Sequence, residues 1–243
     1  MEKHFFEQGG LKYEWLGQST VRITNSSGFT IYTDPVFLDE NPPKAGLILI
    51  THHHVDHCLP EYCVAIRGEK TEIAAFHDSY IKYCVKDIKG VRTVKIGQTI
   101  ELSGINITGV EAYTKRGFHT KGEGCGFLIE WGGQRIYFSG DTSRIPEMAE
   151  LKAIDAAIMA IADNAYAIDT KDIIEAVKEL KPKLFIPVHY TPSDEPDPIL
   201  NNFDLSTKDP RFFTRKEDPM DLLSDLEGLG IEVAALKKIG KGI

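Results

Sequence analysis

The chain is poor in the residues that cross-link, anchor in a membrane or bind polyanions. Only four of its 243 residues are cysteines: Cys58, Cys63, Cys84 and Cys125. They show no C-x-x-C spacing and are too few for a disulfide framework in a chain this long. Reduced thiols in a cytoplasmic protein are therefore expected. No apolar run approaches the roughly 18 residues that a spanning helix needs, so no membrane partner is expected. Met1 to Glu7 lacks the basic-then-apolar build of a signal peptide. Basic residues are in deficit, with 28 Lys and Arg against 36 Asp and Glu and a net charge of −8. That balance argues against a dedicated nucleic-acid surface and leaves a small molecule as the expected partner.

What is present is enough for a sizeable core, since 42% of the residues are hydrophobic. One domain over residues 1–243 is the simplest expectation, with its core in 11–190 and a C-terminal loop, helix and strand in 191–243. Leu11 to Trp15, Ser19 to Thr24 and Phe29 to Asp34 read as a meander, with Gly17-Gln18 and Asn25 to Gly28 as its turns. Leu47-Ile48-Leu49-Ile50 is a short buried strand. A helix is expected over Leu59 to Arg67, opened by Pro60, then a strand over Glu72 to Phe76 and a helix over Ser79 to Lys86. Strands follow at Val91 to Ile96, Thr99 to Leu102 and Ile105 to Val110. Gly132-Gly133 signals a hairpin between Gly126 to Trp131 and Arg135 to Ser139. Further on come a helix over Pro146 to Leu151 and a buried strand within Ala153 to Ala162. The Ile173, Ile174, Val177, Leu180 spacing marks a helix over Thr170 to Leu180, ahead of a strand from Leu184 to Val188. A proline- and aspartate-rich loop precedes a helix over Asp221 to Leu229 and a strand over Ile231 to Leu236. No internal repeat stands out. Meander first and βα units later fit an α+β or α/β domain with two sheets.

Chemistry gathers at three strand ends. Thr51 to His57 packs four histidines and one aspartate into seven residues: His52, His53, His54, Asp56 and His57. Gly140-Asp141-Thr142 follows the apolar Ile136-Tyr137-Phe138, and His189 follows Leu184 to Val188. Histidine nitrogens and carboxylate oxygens suit zinc-like ions. Two ions about 3.5–4 Å apart need a bridge, which a carboxylate such as Asp141 can supply. His52 and His54, two apart on an extended segment, point to the same side. A fourth signal is His119, in the glycine-rich segment from Ala112 to Gly126.

The H-x-H-x-D-H at 52–57, the Gly140-Asp141-Thr142 step and the Pro187-Val188-His189-Tyr190 ending resemble the metallo-β-lactamase superfamily in order and spacing. Phe118 to Gly122, followed by Gly126 to Ile129, is similar to its UlaG-like branch of stand-alone metal-dependent hydrolases. The resemblance implies an α+β fold, a four-layer αβ/βα sandwich with the metal site at the edge between two sheets. It implies a first ion on His52, His54, a third histidine and Asp141, and a second on Asp56, His57, Asp141 and His189. Other members carry the third histidine directly after an Ala-aromatic pair, where this chain has Ala112-Tyr113-Thr114; His119, five residues on, is the candidate here. The implied cofactors are two divalent ions, zinc first, with manganese, iron or nickel as alternatives.

The expected activity is hydrolysis of a small-molecule ester, lactone, amide or phosphodiester by a metal-bound hydroxide. Asp56, His119 and Tyr190 are the candidates for contact with the reacting groups, Tyr190 as a donor to a developing oxyanion or as a packing residue. Asp34 is a candidate orienting partner for a ligand histidine. Asp163-Asn164 are candidates for the pocket wall, and Lys115-Arg116 and Lys121 for anionic substrate contacts. His53 and His77 read as peripheral, and Cys58 as a weak ligand candidate. The alternatives are a nuclease of the same superfamily, a di-iron redox protein, which the histidine at 54 disfavours, and a non-catalytic binding module. Oligomeric state, homo-oligomers included, is open from sequence.

Overall fold

The structure, a computed structural model, describes residues 4–76, 90–115, 117, 119–161, 169–190 and 219–241. Fourteen strands among the described residues form two seven-stranded sheets, each ordered as the chain runs. The first holds β1 (Phe6–Gln8), β2 (Leu11–Gly17), β3 (Thr20–Asn25), β4 (Thr30–Thr33), β5 (Ala45–Ile50), β6 (Arg67–Phe76) and β7 (Val91–Val94). The second holds β8 (Thr99–Leu102), β9 (Ile105–Ala112), β10 (Gly124–Trp131), β11 (Gln134–Phe138), β12 (Ala156–Ala160), β13 (Leu184–Val188) and β14 (Glu232–Val233).

The two halves share one plan. β1 to β4 pair antiparallel, and β5, β6 and β7 are added in parallel. β8 to β11 repeat the antiparallel meander, and β12, β13 and β14 repeat the parallel addition. This topological repeat was not visible in the sequence, because only the order and direction of strands recur.

Parallel strands buried on both faces need apolar side chains on both. β5 meets that demand: Leu47 and Leu49 face the core shared by the two sheets, and Ile48 and Ile50 face the opposite way. There they join Tyr62, Cys63 and Ile66 of helix α1 (Pro60–Ile66). On the second sheet, helix α2 (Thr170–Leu180) buries Ile173, Ile174 and Val177. Asp169 caps α2 by accepting from the backbone N–H groups of Lys171 and Asp172, and Lys181 ends it at φ 47°. The layers are therefore helix, sheet, sheet, helix, as the metallo-β-lactamase resemblance implied.

Differences from the sequence expectations fall on short elements. β1 was missed: three residues carry too little pattern, and it forms because Gly9 and Gly10, at φ 58° and 79°, turn it back onto β2. Pro146–Glu150 and Pro219–Leu226 are 3-10 rather than α-helical. The last strand is cut to Glu232–Val233. The expected helix over 79–86, His77, Arg116, Phe118 and Asp163-Asn164 lie outside the described residues. Among the described residues no helix is long and apolar enough to cross a membrane.

Candidate metal centre

The parallel strands of both sheets end at a shared edge, and two contacts lock that edge. The backbone N–H of Cys125 in β10 donates to the Thr51 carbonyl just past β5, at 3.3 Å. Gly140, just past β11, adopts φ 58°, and a Cβ there would lie 2.9 Å from the Cys125 oxygen and 3.1 Å from the Thr51 side chain. Glycine is needed at that point for both reasons, and it places Asp141 opposite the His52–His57 segment.

The histidine segment is a turn. The backbone N–H groups of His57 and Cys58 both donate to the His54 carbonyl, at 2.9 and 2.8 Å. His119 arrives from the loop between β9 and β10. Thr114 folds that loop: its N–H donates to the His119 carbonyl at 2.9 Å, and its hydroxyl accepts the His119 N–H at 3.0 Å. The five-residue offset is thus a closed loop, with Thr114 as its clasp. His119 is buried, and its ring centroid lies 4.8 Å from that of His52 and 4.7 Å from that of His54. His52 and His54 are themselves 4.7 Å apart, so the three rings stand at the corners of a nearly equilateral triangle.

Asp56, His57, His189 and Asp141 form the neighbouring cluster. His57 Nε2 lies 3.6 Å from Asp56 Oδ2 and 3.4 Å from Asp141 Oδ1. His189 Nε2 lies 3.5 Å from Asp56 Oδ2 and 3.4 Å from Asp141 Oδ2. Donors held about 2.0–2.2 Å from one ion in a tetrahedron are separated by about 3.3–3.6 Å, and these four contacts, two of them to different oxygens of Asp141, have that spacing. Asp141 Oδ2 is also 3.6 Å from His119 Nε2, so this carboxylate faces both clusters. The Nε2 atoms of His52 and His57 and Oδ1 of Asp141 are buried without a hydrogen-bond partner among the described residues. Orphaned buried polar atoms are costly, and a cation between them removes the cost. The residues present fit divalent metal ions.

Asp34, fully buried at φ 36°, orients the set. Its Oδ2 accepts from the Thr51 hydroxyl at 2.7 Å and pairs with His57 Nδ1 at 2.8 Å, while Oδ1 accepts the Thr51 N–H at 2.8 Å. The Thr51 hydroxyl in turn contacts His52 Nδ1 at 2.9 Å. With Nδ1 engaged, Nε2 of each ring is the atom turned to the site.

The electrostatics divide the centre in two. Burial pushes His52 well below the usual imidazole value, and burial with the nearby His119 takes His54 down to about 4. Burial also disfavours charge on His57 and His189, but carboxylates win there. Asp141 and Asp56 hold His57 well above its ordinary value and His189 up at about 10. Asp56 and Asp141 are held low in return, against their burial, by His57 and His189.

The other sequence candidates sit around this core. The Tyr190 ring stacks on Trp15 at 4.6 Å and 16°. Lys115 pairs with Asp172, and Lys121 with Glu147. Half-buried His53 packs edge-on against His54, 5.0 Å between ring centroids. The Cys58 side chain is buried. Sequence reasoning missed Gln18, whose carboxamide lies between Asp56 and His189; a glutamine after a glycine reads only as a turn.

Residues 12–189 match the beta-lactamase superfamily domain. A UPF0173 metal-dependent hydrolase of Pelotomaculum thermopropionicum is 34% identical over 77% of this chain and 89% of its own length. The UPF0173 metal-dependent hydrolase Ta0764 of Thermoplasma acidophilum is 32% identical over 84% and 89%. A crystal structure of a candidate metal-dependent hydrolase from Parabacteroides distasonis superposes with a TM-score of 0.75 at 26% identity, covering 97% of each chain. With strand-end histidines and aspartates converging where two repeated sheets meet, and with this match across the core, the chain belongs to the metallo-β-lactamase superfamily.

Proposed function

We propose that the protein is a binuclear metal-dependent hydrolase acting on an ester, lactone, amide or phosphodiester of a small molecule. The observation that carries this reading is the pair of donor clusters, His52–His54–His119 and Asp56–His57–His189, with Asp141 facing both. His52, His54 and His119 would hold the first ion and Asp56, His57 and His189 the second, with Asp141 available to both. The chemistry supplied there by bound divalent cations, zinc first and manganese, iron or nickel as alternatives, would be Lewis acidity toward the scissile oxygen and toward water.

The chain's own groups do the rest. Asp34 and Thr51 hold the imidazoles of His57 and His52 with Nε2 forward, so that no reorganisation is needed when substrate arrives. Asp56, only partly exposed, is held as a carboxylate by His57 and His189, which keeps it ready as an oxygen donor of the second cluster. Tyr190, fixed by the stack on Trp15, borders the same edge as a donor to charge developing on substrate. Lys115, Lys121 and Arg144 are engaged with Asp172, Glu147 and Glu179, and the net charge is −8, which supports a small substrate over a nucleic acid. Buried cysteines, too few for a disulfide framework, suit a reducing cytoplasm.

The test is metal analysis joined to a substrate panel. Purified protein reconstituted with zinc or manganese is expected to hold about two ions per chain and to cleave at least one ester, lactone, amide or phosphodiester, with activity lost in Asp141→Ala. No cleavage by the fully loaded protein across the panel would sink the proposal.

A further inference from the structure

Gln18 stands in the turn between β2 and β3 at φ 48°, and its backbone is pinned from two sides. Its carbonyl accepts the Trp15 indole N–H at 2.8 Å and the His189 N–H at 2.9 Å. The strand leading into it is held too, since the Gly240 N–H donates to the Leu16 carbonyl at 2.8 Å. A side chain anchored this firmly has few places to put its carboxamide, and it puts it into the second cluster. Nε2 lies 3.0 Å from Asp56 Oδ2 and 2.9 Å from His189 Nε2.

Those two distances differ from the rest of the cluster. The other contacts of the cluster, from His57 and His189 to Asp56 Oδ2 and to separate oxygens of Asp141, are 3.4–3.6 Å long, the spacing of tetrahedral edges. Donors at right angles around an ion at about 2.0–2.2 Å are about 2.8–3.1 Å apart, and that is the separation of the Gln18 amide from its two neighbours. Chemistry points the same way. When His189 Nε2 is turned to an ion, it has no lone pair left for an amide N–H. A half-turn about χ3 exchanges Nε2 for Oε1 without moving the side chain. Oε1 would then face the Asp56 oxygen with no hydrogen between them, an arrangement that a shared cation makes favourable.

We propose that Gln18 is a ligand of the second ion, its carboxamide turning from an N–H bonded to Asp56 in the metal-free protein to Oε1 on the ion in the loaded one. This rests on the two-ion reading above and makes the second ion five-coordinate through protein groups alone. The first ion, on the other side of Asp141, is untouched by Gln18.

Titration with Co(II), followed by calorimetry and visible absorption, tests the assignment on the intact chain. Wild type is expected to bind two ions, the second with the weak bands of a five-coordinate centre. Gln18→Gly accepts φ 48° without strain and is expected to lower the affinity of the second ion about 10–100-fold. It should also give the stronger bands of a four-coordinate ion, with first-ion affinity unchanged. Gln18→Glu, which keeps an oxygen donor, should restore five-coordinate bands and bind the second ion at least as tightly as wild type. Two ions bound by Gln18→Gly with an unaltered spectrum would overturn the ligand assignment alone, even if affinity falls. One ion per wild-type chain would overturn the two-ion reading and the assignment with it.

Discussion

Replacing Asp34 should damage stability and metal binding together, by separable amounts. The carboxylate is fully buried and serves three groups: the Thr51 N–H, the Thr51 hydroxyl and His57 Nδ1. Burial alone pushes its pKa up, and His57 and Thr51 pull it back. In Asp34→Ala the Thr51 N–H and the His57 ring lose their acceptor in a fully buried place. Breaking a buried pair of this kind costs about 3–5 kcal/mol. Alanine also strains at φ 36°. Asp34→Asn separates the effects: asparagine tolerates that backbone and keeps one oxygen for Thr51, but its NH2 opposes a protonated His57 Nδ1. Its stability loss should therefore be smaller, while His57 is driven to the other tautomer, with Nε2 protonated. Loss of an orienting partner lowers metal affinity about 10–100-fold, or about 1.4–2.8 kcal/mol. The second ion should suffer more, because His57 touches Asp34 directly and His52 only through Thr51. Urea unfolding of metal-free protein gives the stability term, and competition with a chelating dye gives the two affinities. If Asp34→Asn binds both ions as wild type does, Asp34 does not orient the ligands.

Two more outcomes follow from the same geometry. His119→Ala should weaken the first ion by more than the about 10–100-fold expected of Thr114→Val, which only opens the clasp; equal losses, or none, in a direct titration would show that His119 is not a ligand. Loading should also release protons unequally. His52 and His54 are depressed, His54 to about 4, so both are neutral at pH 7 and the first ion displaces nothing from them. His57 and His189 are raised, His189 to about 10, so the metal-free protein carries protons there that the second ion must displace. The metal-free state thus binds more protons, and raising the pH tightens the second ion, by up to about tenfold per pH unit for each proton displaced. Calorimetry in buffers of different ionisation heat reads this directly, and equal proton release at both steps would refute it.

Much of this was written locally. An apolar strand that ends in a metal-ligating residue is a short-range pattern, so the His52–His57 segment, Asp141 and His189 were legible one by one. So were α2, with its spaced isoleucines and valine, and β13. What no local pattern holds is which strand ends meet. That depends on the pairing order of two sheets, on Gly140 allowing close approach to Thr51, and on Thr114 closing the loop that delivers His119. Asp34 and Gln18 lie in the first meander, where sequence marks a strand end and a turn. Only the fold brings them beside residues far along the chain, because a hydrogen bond such as that between Gln18 and His189 spans 171 positions. The sequence by itself determined the ligand types and the strands that carry them. The tertiary structure decided the distances among them, and coordination chemistry depends on those distances.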